Sequence, residues 1–213
     1  MKNFGKILKT VCFFCLVMML LCSFAYPLLL TGVSQVTMQA KANGSLIDAD
    51  GNLTTDPAEA VGSELLGQNF TGDCFFKGRV SSINYNTYTK ENAESGAYPG
   101  VASGSFNYGS SNPDLKARIE EDLDMFLEAH PGVTAAQVPA DLLTASGSGL
   151  DPHISPQAAE IQIASVAEHS GLSEETVEKI VEENTEHKVL GIFGEERVNV
   201  LKCNLAVARA MAQ

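Results

Sequence analysis

The sequence predicts an α+β protein: one N-terminal transmembrane helix followed by one small extracytoplasmic domain of short strands and about four helices. Three observations predict it. Residues 10–40 carry no charged side chain, and they open with an almost wholly apolar stretch, TVCFFCLVMMLLCSFAYPLLLTGV. Beyond them, short apolar runs bounded by Gly, Asn and Pro are followed by segments whose apolar residues recur every three or four positions. With the anchor set aside, a chain of 213 residues suits one domain of ordinary size.

Crossing the hydrocarbon core takes about 20 apolar residues, and the first apolar stretch is long enough. The expected boundaries are 1–9 for a cytoplasmic N-terminus, 10–33 for the span and 34–213 for the outer domain. A cleaved signal peptide is the rival, with Ser23-Phe24-Ala25 as a small-residue cut site. Against it, Tyr26-Pro27-Leu28-Leu29-Leu30 carries the apolar run past that site, so the anchor reads as uncut. Leu21 before Cys22 argues against lipoprotein processing. Pro27 is expected to bend or loosen the helix near its outer end.

Lys2, Lys6 and Lys9 precede the span and Lys41 alone closely follows it, which places the N-terminus in the cytoplasm. The chain carries −12; without those three lysines, 11 basic side chains face 26 acidic ones, a balance of −15. That charge argues against nucleic acid and anionic lipid as partners. Cys12, Cys15 and Cys22 fall in the span as small apolar residues. Cys74 and Cys203 fall in an oxidising compartment, where two cysteines alone do not define a disulfide.

Residues 35–42 read as a short neck. Asn43-Gly44-Ser45-Leu46-Ile47 turns into a strand, and two further apolar runs, Leu65-Leu66 and Cys74-Phe75-Phe76, suit short strands with tight turns. Residues 81–112 are rich in Ser, Asn, Gly and Tyr and poor in aliphatic side chains, which predicts a long ordered loop or lid. Its tyrosines at 85, 88, 98 and 108 make it a candidate contact surface. Asn112-Pro113-Asp114 then opens a helix: Asn caps, Pro takes the first position, and Asp meets the positive end of the dipole. Leu115, Ile119, Leu123, Phe126 and Leu127 recur at helical spacing until His130-Pro131-Gly132, with His130 as a helix-end residue.

The stretch 139–167, PADLLTASGSGLDPHISPQAAEIQIASVA, holds the candidate site: Thr144, Ser146, Gly147, Ser148, Gly149, Asp151 and His153. Its glycines permit conformations that a side chain forbids and leave backbone groups uncovered for a partner. Ser155 caps the next helix and Pro156 starts it. Ala159, Ile163 and Val166 line that helix, which Gly171 closes. Ser173 caps another helix, with Val177, Ile180 and Val181 inward. Helix, glycine turn and capped helix imitate a DNA-reading motif, but Glu174, Glu175, Glu178, Glu182 and Glu183 on the second helix would repel phosphate. Arg197-Val198-Asn199-Val200-Leu201 and a final helix, CNLAVARAMA, end the chain.

Little here is catalytic. Ser146 or Ser148 with His153 suggests a nucleophile and a base, yet Gly-Ser-Gly is not the Gly-x-Ser-x-Gly elbow and the sequence offers no acid with a persuasive role in orienting His153. Asp151 and His153 are half a metal site at best. The loop lacks the G-x-x-x-x-G-K-[ST] spacing and lysine of a phosphate cradle. No catalytic, metal or confident cofactor site follows; the expected role of the loop is rigid display.

Taken in order, several pieces resemble one family. They are Asn43-Gly44-Ser45-Leu46-Ile47, Gly62-Ser63-Glu64-Leu65-Leu66-Gly67-Gln68-Asn69-Phe70, Ser111-Asn112-Pro113-Asp114-Leu115, the block from Leu143-Thr144-Ala145-Ser146-Gly147-Ser148-Gly149-Leu150-Asp151 to His153-Ile154-Ser155-Pro156, and Arg197-Val198-Asn199-Val200-Leu201 with Asn204-Leu205-Ala206. The family is KdpC, the small single-span subunit of the bacterial potassium-transporting P-type ATPase. Two segments depart from its pattern. Arg79-Val80-Ser81-Ser82 stands where Arg-Pro-Ser-Ala is usual, and Gly104-Ser105-Phe106-Asn107-Tyr108 where Gly-Gly-Ser-Asn-Leu is usual. The resemblance implies a non-catalytic accessory subunit at the cell membrane, supporting assembly and activity of three partners: a channel-like potassium-translocating subunit, a P-type ATPase subunit and a small single-span subunit. ATP and potassium would be handled by that complex, and the family is proposed to raise the ATP affinity of the ATPase subunit. A membrane-anchored binding protein unrelated to transport is the alternative.

Overall fold

A computed structural model describes residues 3–97 and 100–212. Lys2 and Tyr98 lie outside the described residues. The N-terminus is one helical rod, Phe4–Thr37, long and apolar enough to cross a membrane, with none of its most apolar window buried in the protein. It consists of α1 (Phe4–Leu20), a π-helical turn (Leu21–Ala25) and α2 (Tyr26–Thr37). The wide turn ends where Tyr26 N–H donates to the Leu21 carbonyl, one residue before Pro27. Proline lacks the amide that would continue the ladder, and a π turn is one way a helix absorbs that loss without breaking.

The expected neck is mostly helix as well. α2 runs on to Thr37 and, after Met38, α3 (Gln39–Ala42) adds a turn. The Asn43 and Gln35 side chains exchange amide hydrogen bonds of 2.9 and 3.2 Å, tying the end of the rod to the start of the body.

In the body, β1 (Leu46–Ile47) pairs antiparallel with β2 (Gly62–Ser63). Leu65 and Leu66, expected in a strand, lie past β2 and stay exposed. Cys74-Phe75-Phe76 forms no ladder either, because side-chain amides take the place of a neighbouring strand. Phe76 N–H donates to Asn204 Oδ1 (2.8 Å) and Asn204 Nδ2 donates to the Phe76 carbonyl (3.0 Å), while Lys77 N–H donates to Gln162 Oε1 (2.8 Å). Gln162 and Asn204 are buried, so those amides find their partners inside the protein.

Residues 81–97 and 100–112 are largely irregular, with a short α4 (Lys90–Glu94). α5 (Pro113–Ala129) begins as expected, Asn112 Oδ1 accepting from Asp114 N–H at 2.8 Å. It lies on the periphery without a fully buried residue. His130 ends it, its ring stacked on Phe126 at 4.0 Å and its Nδ1 2.8 Å from the Phe126 carbonyl; burial pulls its pKa down. After α6 (Ala140–Leu143) come β3 (His153–Ile154), α7 (Pro156–Glu160), α8 (Ile163–Ser170), α9 (Glu174–Glu183), β4 (Thr185–Glu186), β5 (Arg197–Asn199) and α10 (Val200–Met211).

The single helix expected across Ala159, Ile163 and Val166 is broken at Ile161 and Gln162. The Gln162 side chain donates to the Ala158 carbonyl (2.9 Å) while its oxygen holds Lys77, a use of the residue that interrupts the regular ladder. Gly171, at φ +75°, closes α8, and the Ser173 hydroxyl caps α9. The final helix starts earlier than Cys203 because Asn199 Oδ1 caps it, accepting from Lys202 N–H at 3.1 Å. β5 is the middle strand of an antiparallel sheet ordered β3-β5-β4. One core joins Ile154 and Val198 of the sheet to Val166, Val177, Ile180 and Val207 of the helices, with Phe76 and Cys203 between. Among the described residues every cysteine is free; Cys203 is buried and Cys74 half-buried.

Candidate functional site

The seven predicted site residues come together, but the loop they form is clamped. Its backbone groups, expected to lie uncovered, are largely used inside the domain. Ser146 N–H donates to the Val80 carbonyl (3.3 Å), Gly149 N–H to Ser146 Oγ (2.9 Å), and Leu150 N–H to Ser148 Oγ (3.1 Å). The Ser148 carbonyl accepts from Gly104 N–H (2.8 Å) and the Ser103 hydroxyl (3.2 Å); the Gly149 carbonyl accepts from the Ser81 hydroxyl (2.6 Å). Gly149 sits at φ +69°, and a Cβ there would stand 2.7 Å from Ile83 Cγ1 and 2.9 Å from the Gly104 carbonyl oxygen. Only glycine permits that turn and that approach. Gly147, in contrast, is exposed and has open space around it.

The clamp is built by residues 79–81 and by Ser103 and Gly104, in or beside the two segments that depart from the family pattern. Arg79 reaches across to Asp151 (3.0 Å) and to the carbonyl (3.4 Å) and hydroxyl (3.5 Å) of Thr144. Thr144 Oγ1 in turn donates to the Ala140 carbonyl (2.7 Å). Ser81 Oγ also accepts from Tyr85 N–H (2.9 Å), and the Tyr85 hydroxyl donates to the Arg79 carbonyl. Asn84, Tyr85 and Asn86 are consecutively left-handed, at φ 48°, 51° and 55°. Such a run of non-glycine residues persists only where its surroundings over-determine it. Here Asn69 Nδ2 holds Asn84 (2.9 Å) and Asn86 exchanges bonds with Ala102 (3.0 and 2.9 Å). The Tyr85 ring fills space that Gly67 and Gly78 leave free, and burial, with Asp151 nearby, pushes its hydroxyl up to about 12.

At the C-terminal end of the loop, the Asp151 carboxylate accepts from His153 N–H (3.0 Å) as well as from Arg79. Burial alone would raise its pKa, but the His153 and Arg79 contacts bring it down to about 2. The His153 ring lies between Asp151 (3.5 Å) and Glu186 (3.7 Å), and Arg197 holds Glu186 from the neighbouring strand at 2.7 Å. Although partial burial pushes Glu186 up, Arg197 keeps it below the ordinary carboxylate range. A cavity of about 550 Å³ beside the loop is lined by Ser103, Ser146, Gly147, Ser148, Asp151, His153 and Arg197 among others.

This arrangement holds shape. Both serine hydroxyls accept from the loop's own amides, and among the described residues no hydrogen bond joins Ser146 or Ser148 to His153. The described residues contain no group of three or more His, Cys, Asp or Glu side chains placed to hold a metal. Arg79, Ser81 and Gly104, which position the loop, were visible in the sequence only as neighbours of departures from a pattern. Their partners lie tens of residues away.

An apolar rod long enough to cross a membrane, joined to a small α+β domain, defines a membrane-associated protein. The family described as KdpC, K+-transporting ATPase, c chain, matches residues 8–209. Proteins named potassium-transporting ATPase KdpC subunit are similar throughout. That of Clostridioides difficile (strain 630) is 52% identical over 211 residues, 97% of this chain and 98% of the relative. That of Clostridium kluyveri is 50% identical over 211 residues, 99% and 97% of the two chains. One from Bacillus anthracis is 44% identical over 193 residues, 91% and 90%. The chain belongs to the KdpC family: it is an accessory subunit of the potassium-transporting ATPase, not catalytic by itself.

Proposed function

We propose that the folded body stands on the extracytoplasmic side and leans on the channel-like potassium-translocating subunit, supporting its assembly with the P-type ATPase subunit and the small single-span subunit. The observation that carries this reading is the apolar rod Phe4–Thr37, with Lys6 and Lys9 in its first turns and an acidic body after it. A clamp of this kind favours one state of its neighbour only by binding that state more tightly. The self-satisfied glycine loop and its left-handed buttress supply a rigid surface for such differential binding, and a preformed surface loses little ordering entropy on docking. The seven loop residues are the proposed contact site. Direct contact with ATP is not part of the proposal, because the nucleotide would lie across the bilayer.

Purifying the complex with this subunit deleted tests the role: assembly or potassium-stimulated ATPase activity is lost, and unchanged activity would remove the claim. Protease access to residues 81–112 in intact cells tests the sidedness. Cleavage only after the membrane is opened from the cytoplasmic side would reverse it.

A further inference from the structure

The hairpin between β4 and β5 ends in a tip that no other described residue covers. Val189, Leu190, Ile192 and Phe193 are 66%, 83%, 75% and 63% exposed. Single apolar residues are ordinary on a surface, but four within five positions at one apex form a patch. The apex is also rigid. Leu190 and Gly191 take φ of 55° and 72°, as a tight hairpin turn requires. Val189 and Phe193 exchange backbone bonds of 2.9 and 3.0 Å, and Gly191 N–H donates to the Lys188 carbonyl at 3.0 Å. With these polar groups satisfied internally, the main penalty for leaving water is reduced. Lys188 with Glu195 (3.3 Å) and His187 with Glu196 (2.9 Å) form a polar collar, and no charge lies between them.

The base of the hairpin stands beside the neck that follows the anchor. Glu186 and Arg197, its paired root residues, line one cavity with Lys41, where exposed Leu53 and Leu65 also lie. Counting about 20 residues of helix from Lys9 fills the hydrocarbon core near residue 30. At about 1.5 Å per residue, Thr37 at the end of the rod then stands about 10 Å above the hydrocarbon edge, and the chain turns at Met38 before Lys41. From Glu186 to Leu190 the extended chain reaches about 13 Å. The hairpin is therefore long enough to span that height if it points along the rod toward the bilayer.

We propose that this tip is a second membrane contact, its four apolar side chains entering the acyl-chain boundary of the bilayer that holds the anchor. The occupant is lipid hydrocarbon rather than anionic headgroups, since Glu195 and Glu196 sit at the collar and the body is acidic. Because the anchor already tethers the chain, insertion is intramolecular, and a small apolar cluster suffices.

The chain has no tryptophan, so one introduced at the tip reports alone. Full-length Leu190→Trp, reconstituted without partners in phosphatidylcholine vesicles, is expected to emit at shorter wavelength. Lipids brominated near the top of the acyl chains are expected to quench it at least threefold more than Glu174→Trp, at the far end of α9. Adding Val189→Asp and Ile192→Asp should abolish the difference, which separates the tip's own insertion from tryptophan's preference for interfaces. Equal quenching at the two positions would overturn the proposal. So would shielding of the tip seen only after the other subunits are added, which would assign it to a protein pocket. The proposal rests on the membrane-span reading, and flotation with the vesicles reports that separately: a chain that fails to float refutes the anchor, whereas one that floats with an unquenched tip refutes only the contact.

Discussion

Replacing Asn204 by leucine should be among the most damaging single changes in the body. The leucine side chain is of similar size, so no large cavity forms, but both hydrogen bonds to Phe76 vanish. Asn204 and Phe76 are each 1% exposed, and water cannot take over. An amide N–H and a carbonyl left buried without partners cost about 1–3 kcal/mol each. The added apolar burial offsets about 1 kcal/mol of this, leaving about 1–5 kcal/mol against a total of about 5–15 kcal/mol. Urea unfolding of the full chain in detergent, followed by tyrosine fluorescence, should show the midpoint falling at unchanged slope. Asn204→Asp separates the two bonds. Its carboxylate still accepts from Phe76 N–H but faces the Phe76 carbonyl, and burial should raise its folded pKa above the unfolded value of about 4. The protonated form can donate to that carbonyl, so the stability of this variant should be best at low pH and fall as pH rises through the folded pKa. A loss below about 0.5 kcal/mol for Asn204→Leu, or a pH-independent Asn204→Asp, would refute the clamp as a source of stability.

Gly149→Ala should destabilise by about 2–5 kcal/mol, from the left-handed backbone and the crowding against Ile83 and Gly104 together. Gly147→Ala, two residues earlier in open space, should change stability by less than about 0.5 kcal/mol in the same titration. Asp151, depressed from 3.8 to about 2, contributes stability that is complete above pH 4 and lost as pH falls through about 2. That amounts to about 2 kcal/mol, and Arg79→Met should flatten this part of the acid-unfolding curve. Cys203 is buried with its thiol pushed up to about 12, so a maleimide should label half-buried Cys74 in the native chain, and Cys203 only in urea. Mass spectrometry of the peptides reads the difference.

What the sequence reveals of this fold is what neighbours in sequence decide. The anchor is legible because composition alone makes it. α5 and α9 are legible because Asn112 and Ser173 cap within three residues and the apolar spacing follows. The Phe76 segment is misread because its apolar run resembles a strand, while its actual partners are side chains of Asn204, 128 residues on, and Gln162, 85 residues on. The glycine loop is legible as unusual but not as clamped, since nothing local says that Ser81 and Gly104 will cap its carbonyls. The break at Gln162 has the same origin: the residue serves a distant backbone at the cost of its own helix.

How a self-satisfied loop can influence a distant nucleotide is a question of linkage. On the proposed topology, ATP and the loop are separated by a bilayer about 40 Å thick, so any effect on ATP affinity must pass through a neighbour with two states. Such coupling is reciprocal. If this subunit raises the ATP affinity of the complex tenfold, ATP must raise the affinity of the complex for this subunit tenfold, about 1.4 kcal/mol. Dissociation of the subunit from the detergent-solubilised complex, measured with and without a non-hydrolysable nucleotide, reads that factor directly. Equal affinities would mean that the subunit holds the complex together without biasing its state. The Gly149→Ala variant should then weaken assembly in proportion to the loop's loss of order, leaving the nucleotide affinity of intact complexes unchanged.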